Sequence, residues 1–206
     1  MIIAVDGPAA SGKGTIARAL AEYFALPHLD TGLLYRAVGL SVLRHGGDPG
    51  HELDALRACA FSEAMLHDPD IRCEAASRAA SVVSAHPAVR QALLERQRAF
   101  AEQPGGAVLD GRDIGTVIAP AADAKLFVTA SPDIRARRRF AQLVGEGSQV
   151  SYHHVLTDIL DRDARDAGRQ TAPLRQADDA VLLDTSDLSI ADAIARAINL
   201  VGARQA

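Results

Sequence analysis

The chain has 206 residues, a net charge of −4 and 48% apolar residues, which suits one packed core and rules out a disordered segment. The acidic balance argues against a general nucleic-acid binder, and no apolar run reaches the 18 residues that a membrane span needs. The opening MIIAVDG has neither a basic region nor a long apolar stretch, so a cytoplasmic chain without a signal peptide is expected, with Cys59 and Cys73 as free thiols that match no metal or redox spacing.

IIAVD (2–6) is a short β-branched run closed by Gly-Pro and predicts a buried strand. Ile16, Leu20 and Phe24 recur at helical spacing from Gly14 onward, and Pro27 marks the end of that helix. HLDTG (28–32) predicts a second strand and turn, followed by a helix over about 33–43 that HGGDPG ends. Residues 52–66 are expected to be helical, with Asp68-Pro69-Asp70 breaking that helix and capping another near 71–85. A further helix is predicted from about Pro87 to Ala101. GAVLDG (106–111) and AKLFVTAS (124–131) read as strands three and four. Ser131, Pro132 and Asp133 open a helix that VGEGS (144–148) breaks, and helix resumes from about Tyr152 to Ala167. AVLLDTS (180–186) is the fifth strand, and the last helix runs from Ser189 to about Val201.

Near-continuous apolar strands alternating with helices predict an α/β fold: a five-stranded parallel sheet flanked by helices. Such sheets bind ligands beyond the carboxyl ends of their strands. Asp6-Gly7, Asp30-Thr31-Gly32 and Asp110-Gly111 fall at that edge, which makes it polar and a place for chemistry.

The first strand-to-helix loop carries GPAASGKGT, residues Gly7, Pro8, Ala9, Ala10, Ser11, Gly12, Lys13, Gly14 and Thr15. Small residues between two glycines let backbone N–H groups point at an anion, and the helix N-terminus adds its positive end. Lys13 would reach the β- and γ-phosphates of a nucleotide donor. Of the 22 basic residues only Lys13 and Lys125 are lysines, so the loop holds one of two. The hydroxyl comes one residue late, at Thr15, with Gly14 in the usual Mg²⁺-ligand position. No Asn-Lys-x-Asp motif and no LSGGQ-like signature accompanies the loop, which argues against a signalling GTPase and a transport ATPase.

Arginines and aspartates cluster at the other strand ends. DTGLLYR (30–36) brings Arg36, DGRDIGT (110–116) brings Arg112 and Asp113, and RDARDAGR (162–169) sets Arg162, Asp166 and Arg169 on one helical face. A set so dense is costly unless it faces anions or carboxylates, and Asp166 can orient its neighbours while arginines take phosphate.

GPxxxGKGT, D(S/T)GxxYR, DGRDxGT and RDxxDxxR, in this order, resemble the bacterial cytidylate kinases, a family of nucleoside monophosphate kinases, and DGRDxGT is the most discriminating of the four. The likeness runs from the first strand through APLRQADDAVLLDTSDLSI (172–190). It implies transfer of the γ-phosphoryl group of ATP, with Mg²⁺, to CMP or dCMP. Gly7 to Thr15 match the ATP loop. Arg36 and Arg112 match the arginines that hold the acceptor phosphate, and Asp113 the carboxylate facing the cytosine amino group. Ser81 and Arg90 match pyrimidine contacts, Arg162 and Asp166 ribose contacts, and Arg169 an acceptor-side arginine; Thr31 stands close to the acceptor. RARRR (135–139) matches the helix leading into a mobile lid, with Arg138 and Arg139 acting on the transferring group. Metal would have no direct protein ligand, with Thr15 nearby. The resemblance implies a single domain: core 1–29, 106–139 and 166–206, acceptor-binding insert about 30–105, lid about 140–165. Between about Leu56 and Ile71 the chain is shorter than the commoner bacterial type, so this insert should be small and mostly helical. A monomer with ATP and CMP or dCMP as its only partners, and neither nucleic acid nor membrane, is expected. The rival readings are a kinase of another small acceptor, such as UMP or a non-nucleotide metabolite, and an ATP-binding regulatory module without turnover.

Overall fold

Ile3, Ala4 and Val5 are wholly buried in β1 (Ile2–Asp6), the middle strand of the molecule. The computed structural model describes residues 1–204. Around β1 stand β2 (His28–Asp30), β3 (Ala107–Gly111), β4 (Ala124–Thr129) and β5 (Val181–Asp184) in the order β2-β3-β1-β4-β5. β1 runs parallel to both β3 and β4, pairing Asp6 with Gly111 on one side and Phe127 on the other, and β4 runs parallel to β5. Crossovers between parallel neighbours need helices, which is why apolar helical stripes separate the strands.

Two helices share the main apolar cluster with the sheet. Ile16, Ala17 and Leu20 of α1 (Lys13–Tyr23) and Ala193, Ala197 and Val201 of the C-terminal helix (Ile190–Gly202) pack with Ile3, Val5, Leu126 and Leu183. α1 stops at Tyr23, earlier than Pro27 suggests, because Ala25 turns into the left-handed region at φ 53°. The second lysine is structural: the Lys125 ammonium donates to Pro120 O and pairs with Asp179, tying β4 to the segment before β5.

The chain forms two units, Met1–Leu29 with Ala101–Ala206, and Asp30–Phe100. The second is helical. It holds α2 (Thr31–Arg44), α3 (Glu52–Arg57), α4 (Glu74–Val83) and most of α5 (Pro87–Ala101). α2 and α4 meet at small residues: a Cβ on Gly39 would stand 2.8 Å from both Ala79 Cβ and Ala80 N. The helix expected over 52–66 ends at Arg57. Short 3₁₀ turns at Ala58–Ala60 and Glu63–His67 follow, with Phe61 extended between them. That break lets Phe61, Met65 and Leu66 all pack on the cluster of Ala37, Leu40, Ile71 and Ala76, which one helical stripe could not do. Asp68 does cap, as its side chain accepts from Asp70 N, but it opens only the 3₁₀ turn Pro69–Arg72. The true cap of α4 is the Cys73 sulfur, which accepts from Ala76 N.

In the first unit α6 (Pro132–Gly145) and α7 (Tyr152–Ala167) form a hairpin. Leu143, Val155 and Ile159 give it an apolar core, against which Ala10 of the glycine-rich loop also packs. The C-terminal helix is α8.

Candidate active site

The loop between β1 and α1 is built around backbone conformations that few residues accept. A Cβ on Gly7 would stand 2.0 Å from Val128 O, so only glycine lets the loop leave β1 beside β4. Ala10 (φ 58°) and Gly12 (φ 89°) are left-handed. For alanine that costs on the order of 1–2 kcal/mol, a strain typical of ligand-binding turns. The Gly12 carbonyl accepts from Thr15 N and Ile16 N, but no side chain caps α1. The positive end of the α1 dipole nevertheless points into the loop, where an anion would be stabilised. Lys13 folds back over the loop, its Nζ 3.5 Å from Pro8 O.

Three elements brace this loop from behind. The Thr185 hydroxyl, at the end of β5, lies 3.0 Å from Ser11 O and 3.1 Å from Thr129 O. Arg138 donates to Thr185 Oγ1 at 2.9 Å and to Thr185 O at 2.6 Å. Arg135 is buried, forks onto Asp163 and reaches Ala9 O at 3.3 Å. Sequence reasoning left Arg135 undistinguished within RARRR; it is the member of that run that touches the loop. Arg137 is exposed and pairs with Asp133 within its own helix, while Arg139 donates to Gln142.

At the end of β3 Asp110 lies beside the same loop. Its Oδ1 meets His28 Nε2 at 2.8 Å. Its Oδ2 stands 3.6 Å from where a Gly14 Cβ would be, so a carboxylate faces the space that the missing side chain leaves. The next turn carries Arg112, whose Nε donates to Asp166 Oδ2 at 2.7 Å and whose Nη1 donates to Gly111 O at 3.2 Å. Arg169 donates to the other oxygen of Asp166. Asp166 is 1% exposed. Burial raises its carboxyl, but the guanidinium groups of Arg112, Arg169 and Arg162 outweigh burial and hold it below the ordinary carboxylate range. Burial likewise opposes the charge on Arg112, and Asp166, Asp110 and Asp6 override it. The spacing 162-166-169 predicted one helical face; the structure adds that Arg112, far away in sequence, shares its carboxylate.

Asp113 follows, buried, where the chain enters a π-helical turn, Ile114–Ile118, with Ile118 N bonded to Asp113 O. Such turns are rare and gather at functional places. Sequence reasoning placed Asp6 on the working edge without a task. Its two oxygens accept from Ile114 N and Gly115 N, both at 2.8 Å.

The helical unit holds the other expected residues. Thr31 is buried at the start of α2, and Arg36 is half-buried one turn on. Ser81 is buried on α4. Its carbonyl accepts from Ser84 Oγ, and Ser84 O accepts from Arg90 of α5. The buried Arg90 guanidinium also lies 5.5 Å from the Tyr35 ring centroid, a cation–π distance.

The chain is similar to known proteins along nearly its whole length. The cytidylate kinase family model matches residues 3–203. A cytidylate kinase of Xanthobacter autotrophicus is 59% identical over 206 residues, covering 100% of this chain and 99% of that one. A cytidylate kinase of Caulobacter sp. strain K31 is 55% identical over 201 residues, covering 97% and 93%. The crystal structure of TT1252 from Thermus thermophilus superposes with a TM-score of 0.51 at 23% identity, covering 100% of this chain and 98% of that one, a likeness of fold. No described helix is long and apolar enough to cross a membrane. Matched along nearly its whole length by the family model and by relatives more than half identical, the chain belongs to the cytidylate kinase family.

Proposed function

We propose that this chain transfers the γ-phosphoryl group of ATP to the 5′-phosphate of CMP or dCMP, giving ADP and CDP or dCDP. The observation that carries the division of labour is the pairing of Arg112 and Arg169 on one buried carboxylate, Asp166, at the sheet edge that also bears the strained phosphate loop. Two guanidinium groups held this way are pre-organised for phosphate and lose little freedom when it binds.

The loop Gly7–Thr15 takes the donor phosphates through its amides and Lys13. Arg36, Arg112 and Arg169 take the acceptor phosphate, with Thr31 nearby. Asp113 accepts from the exocyclic amino group of cytosine and would repel the carbonyl that uracil presents there. Ser81 and Arg90 line the pyrimidine, and Arg162 with Asp166 the ribose. No general base is required, because the acceptor is already a phosphate oxygen, so catalysis is positioning and charge stabilisation. Lys13, Arg138 and Arg139 neutralise the transferring group. The hairpin of residues 140–165 serves as the lid that excludes water, whose attack would waste ATP. Mg²⁺ would be held mainly by phosphate oxygens and water. Gly14 offers it no hydroxyl, Thr15 is exposed close by, and Asp110 faces the Gly14 position, where it can order the cation's waters. The cation supplies neutralisation of the developing phosphate charge. The protein acts as a cytoplasmic monomer, each unit carrying its own buried apolar cluster.

Coupled ADP release with ATP and, separately, CMP, dCMP, UMP, AMP, dTMP and shikimate tests this. CMP and dCMP should stimulate turnover most, and no stimulation by either would sink the reading. Asp113→Ala should lower kcat/KM for CMP by about tenfold or more while ATP binding holds, the size of one lost charged hydrogen bond. Unchanged CMP kinetics would remove the base-reading role.

A further inference from the structure

Asp6 is a buried carboxylate that the phosphate loop and the arginine cluster leave unused. It ends β1, and register puts it opposite Gly111, the last residue of β3. It is 5% exposed. Both of its oxygens are committed to backbone N–H groups 108 and 109 residues away, Ile114 N on Oδ1 and Gly115 N on Oδ2. These two residues follow Arg112 and Asp113 directly and open the π-helical turn. Gly115 is crowded on both sides: a Cβ there would stand 3.4 Å from Asp6 Oδ2 and 3.1 Å from Lys125 Cδ. The strand end thus grips the exit of β3 just past the Arg112–Asp113 pair.

We propose that Asp6 is a positioning residue that sets Arg112 and Asp113 for the acceptor nucleotide, and that only its ionised form does so. The inference rests on the reading of those two residues as acceptor contacts. A carboxylate can accept from both amides at once. Once protonated it must aim an O–H among two N–H donors, and a buried amide is left poorly paired. The groups around Asp6 are Asp113 and Arg112 from the β3 exit, Asp110, which acts with Asp6 on Arg112, and Lys125 on β4, whose ammonium is engaged by Pro120 O and Asp179. Burial, seconded by Asp113, pushes the Asp6 carboxyl up to about 7 against the pull of the two amides and Arg112. The change of state therefore falls within the neutral range, and capture of the acceptor should weaken as the pH falls through it.

Asp6→Asn keeps the shape and leaves one acceptor oxygen. The KM for CMP and for ATP is measured for both proteins from pH 5.5 to 8.5. At pH 8 the variant should show a CMP KM raised about tenfold, as expected for one lost buried hydrogen bond, with an ATP KM within about twofold of the parent. Phosphate itself titrates near pH 6, so the decisive quantity is the ratio of the two CMP profiles. It should grow as the pH rises through about 7, where only the parent gains. A constant ratio, or equal losses toward CMP and ATP, overturns the proposal. In the unmutated protein the amide proton signals of Ile114 and Gly115 should move together with one midpoint near 7; signals that stay fixed over that range also overturn it. This second measurement does not depend on what Arg112 and Asp113 bind. If Asp113→Ala left CMP use intact while the amides still titrated, the acceptor reading would fall and the grip of Asp6 would stand.

Discussion

Single residues at this sheet edge are chosen for what they hold in place. Gly7 is required by the backbone, since the carbonyl of Val128 occupies the space of any side chain. Asp166 is required by charge. It is buried between two guanidinium groups that are themselves nearly buried. Removing one partner from such a cluster leaves an uncompensated charge, a large loss even where the intact cluster contributes little. Asp166→Ala should therefore lower the unfolding free energy by about 3–5 kcal/mol, read from urea denaturation, and abolish most CMP turnover. A loss below about 1 kcal/mol, the size of an exposed pair, would show that solvent reaches the site. The spacing in RDARDAGR made half of this arrangement legible. Arg112 was visible as a motif residue, but its partner was not, because 54 positions separate them.

At the scale of elements, the strands and the starts of α6 and α8 were written plainly in the sequence. Ser131 and Ser189 cap α6 and α8 with their hydroxyls, accepting from Ile134 N and Asp192 N. Ser189 also donates to the Asp192 carboxylate at 2.6 Å, a reciprocal arrangement close to a capping box. Ser189→Ala should cost about 1 kcal/mol, seen as a lowered Tm with CMP kinetics unchanged. Residues 52–66 were less legible. Their helical propensity is real, but Phe61, Met65 and Leu66 gain more by burial on α2 and α4 than by continuing one helix. Local pattern cannot report that competition.

At the scale of the whole molecule, one carboxylate sets stability against positioning. The Asp6 pKa in the fold, about 7, lies above the ordinary 3.8, so the folded state holds this proton more tightly than the unfolded chain does. The stability it confers is complete below the ordinary value and is lost as the pH rises through about 7. Asp166 acts in the opposite sense: its depressed pKa stabilises above the ordinary value and ceases to do so in acid. Between pH 5 and pH 8 the stability of the parent relative to Asp6→Asn should therefore fall by about 2–3 kcal/mol, measured by urea unfolding at each pH. A difference that does not change with pH would mean that Asp6 is not buried as a charge. The ionised form that grips Ile114 and Gly115 is thus the one that costs stability, a conflict expected at functional sites.

By itself the sequence determined the alternation of strand and helix, the phosphate loop and the arginine face of residues 162–169. These follow from contacts within a few positions: β-branched runs, glycine at turns and spacings of three and four. Only the tertiary structure decided which carboxylate serves which arginine, that Arg135 braces the loop at Ala9, and that Asp6 holds the exit of β3. Those pairings depend on β1 lying between β3 and β4. They join buried charges and amides across long stretches of chain, where burial and partner geometry decide the energy and no local spacing records it.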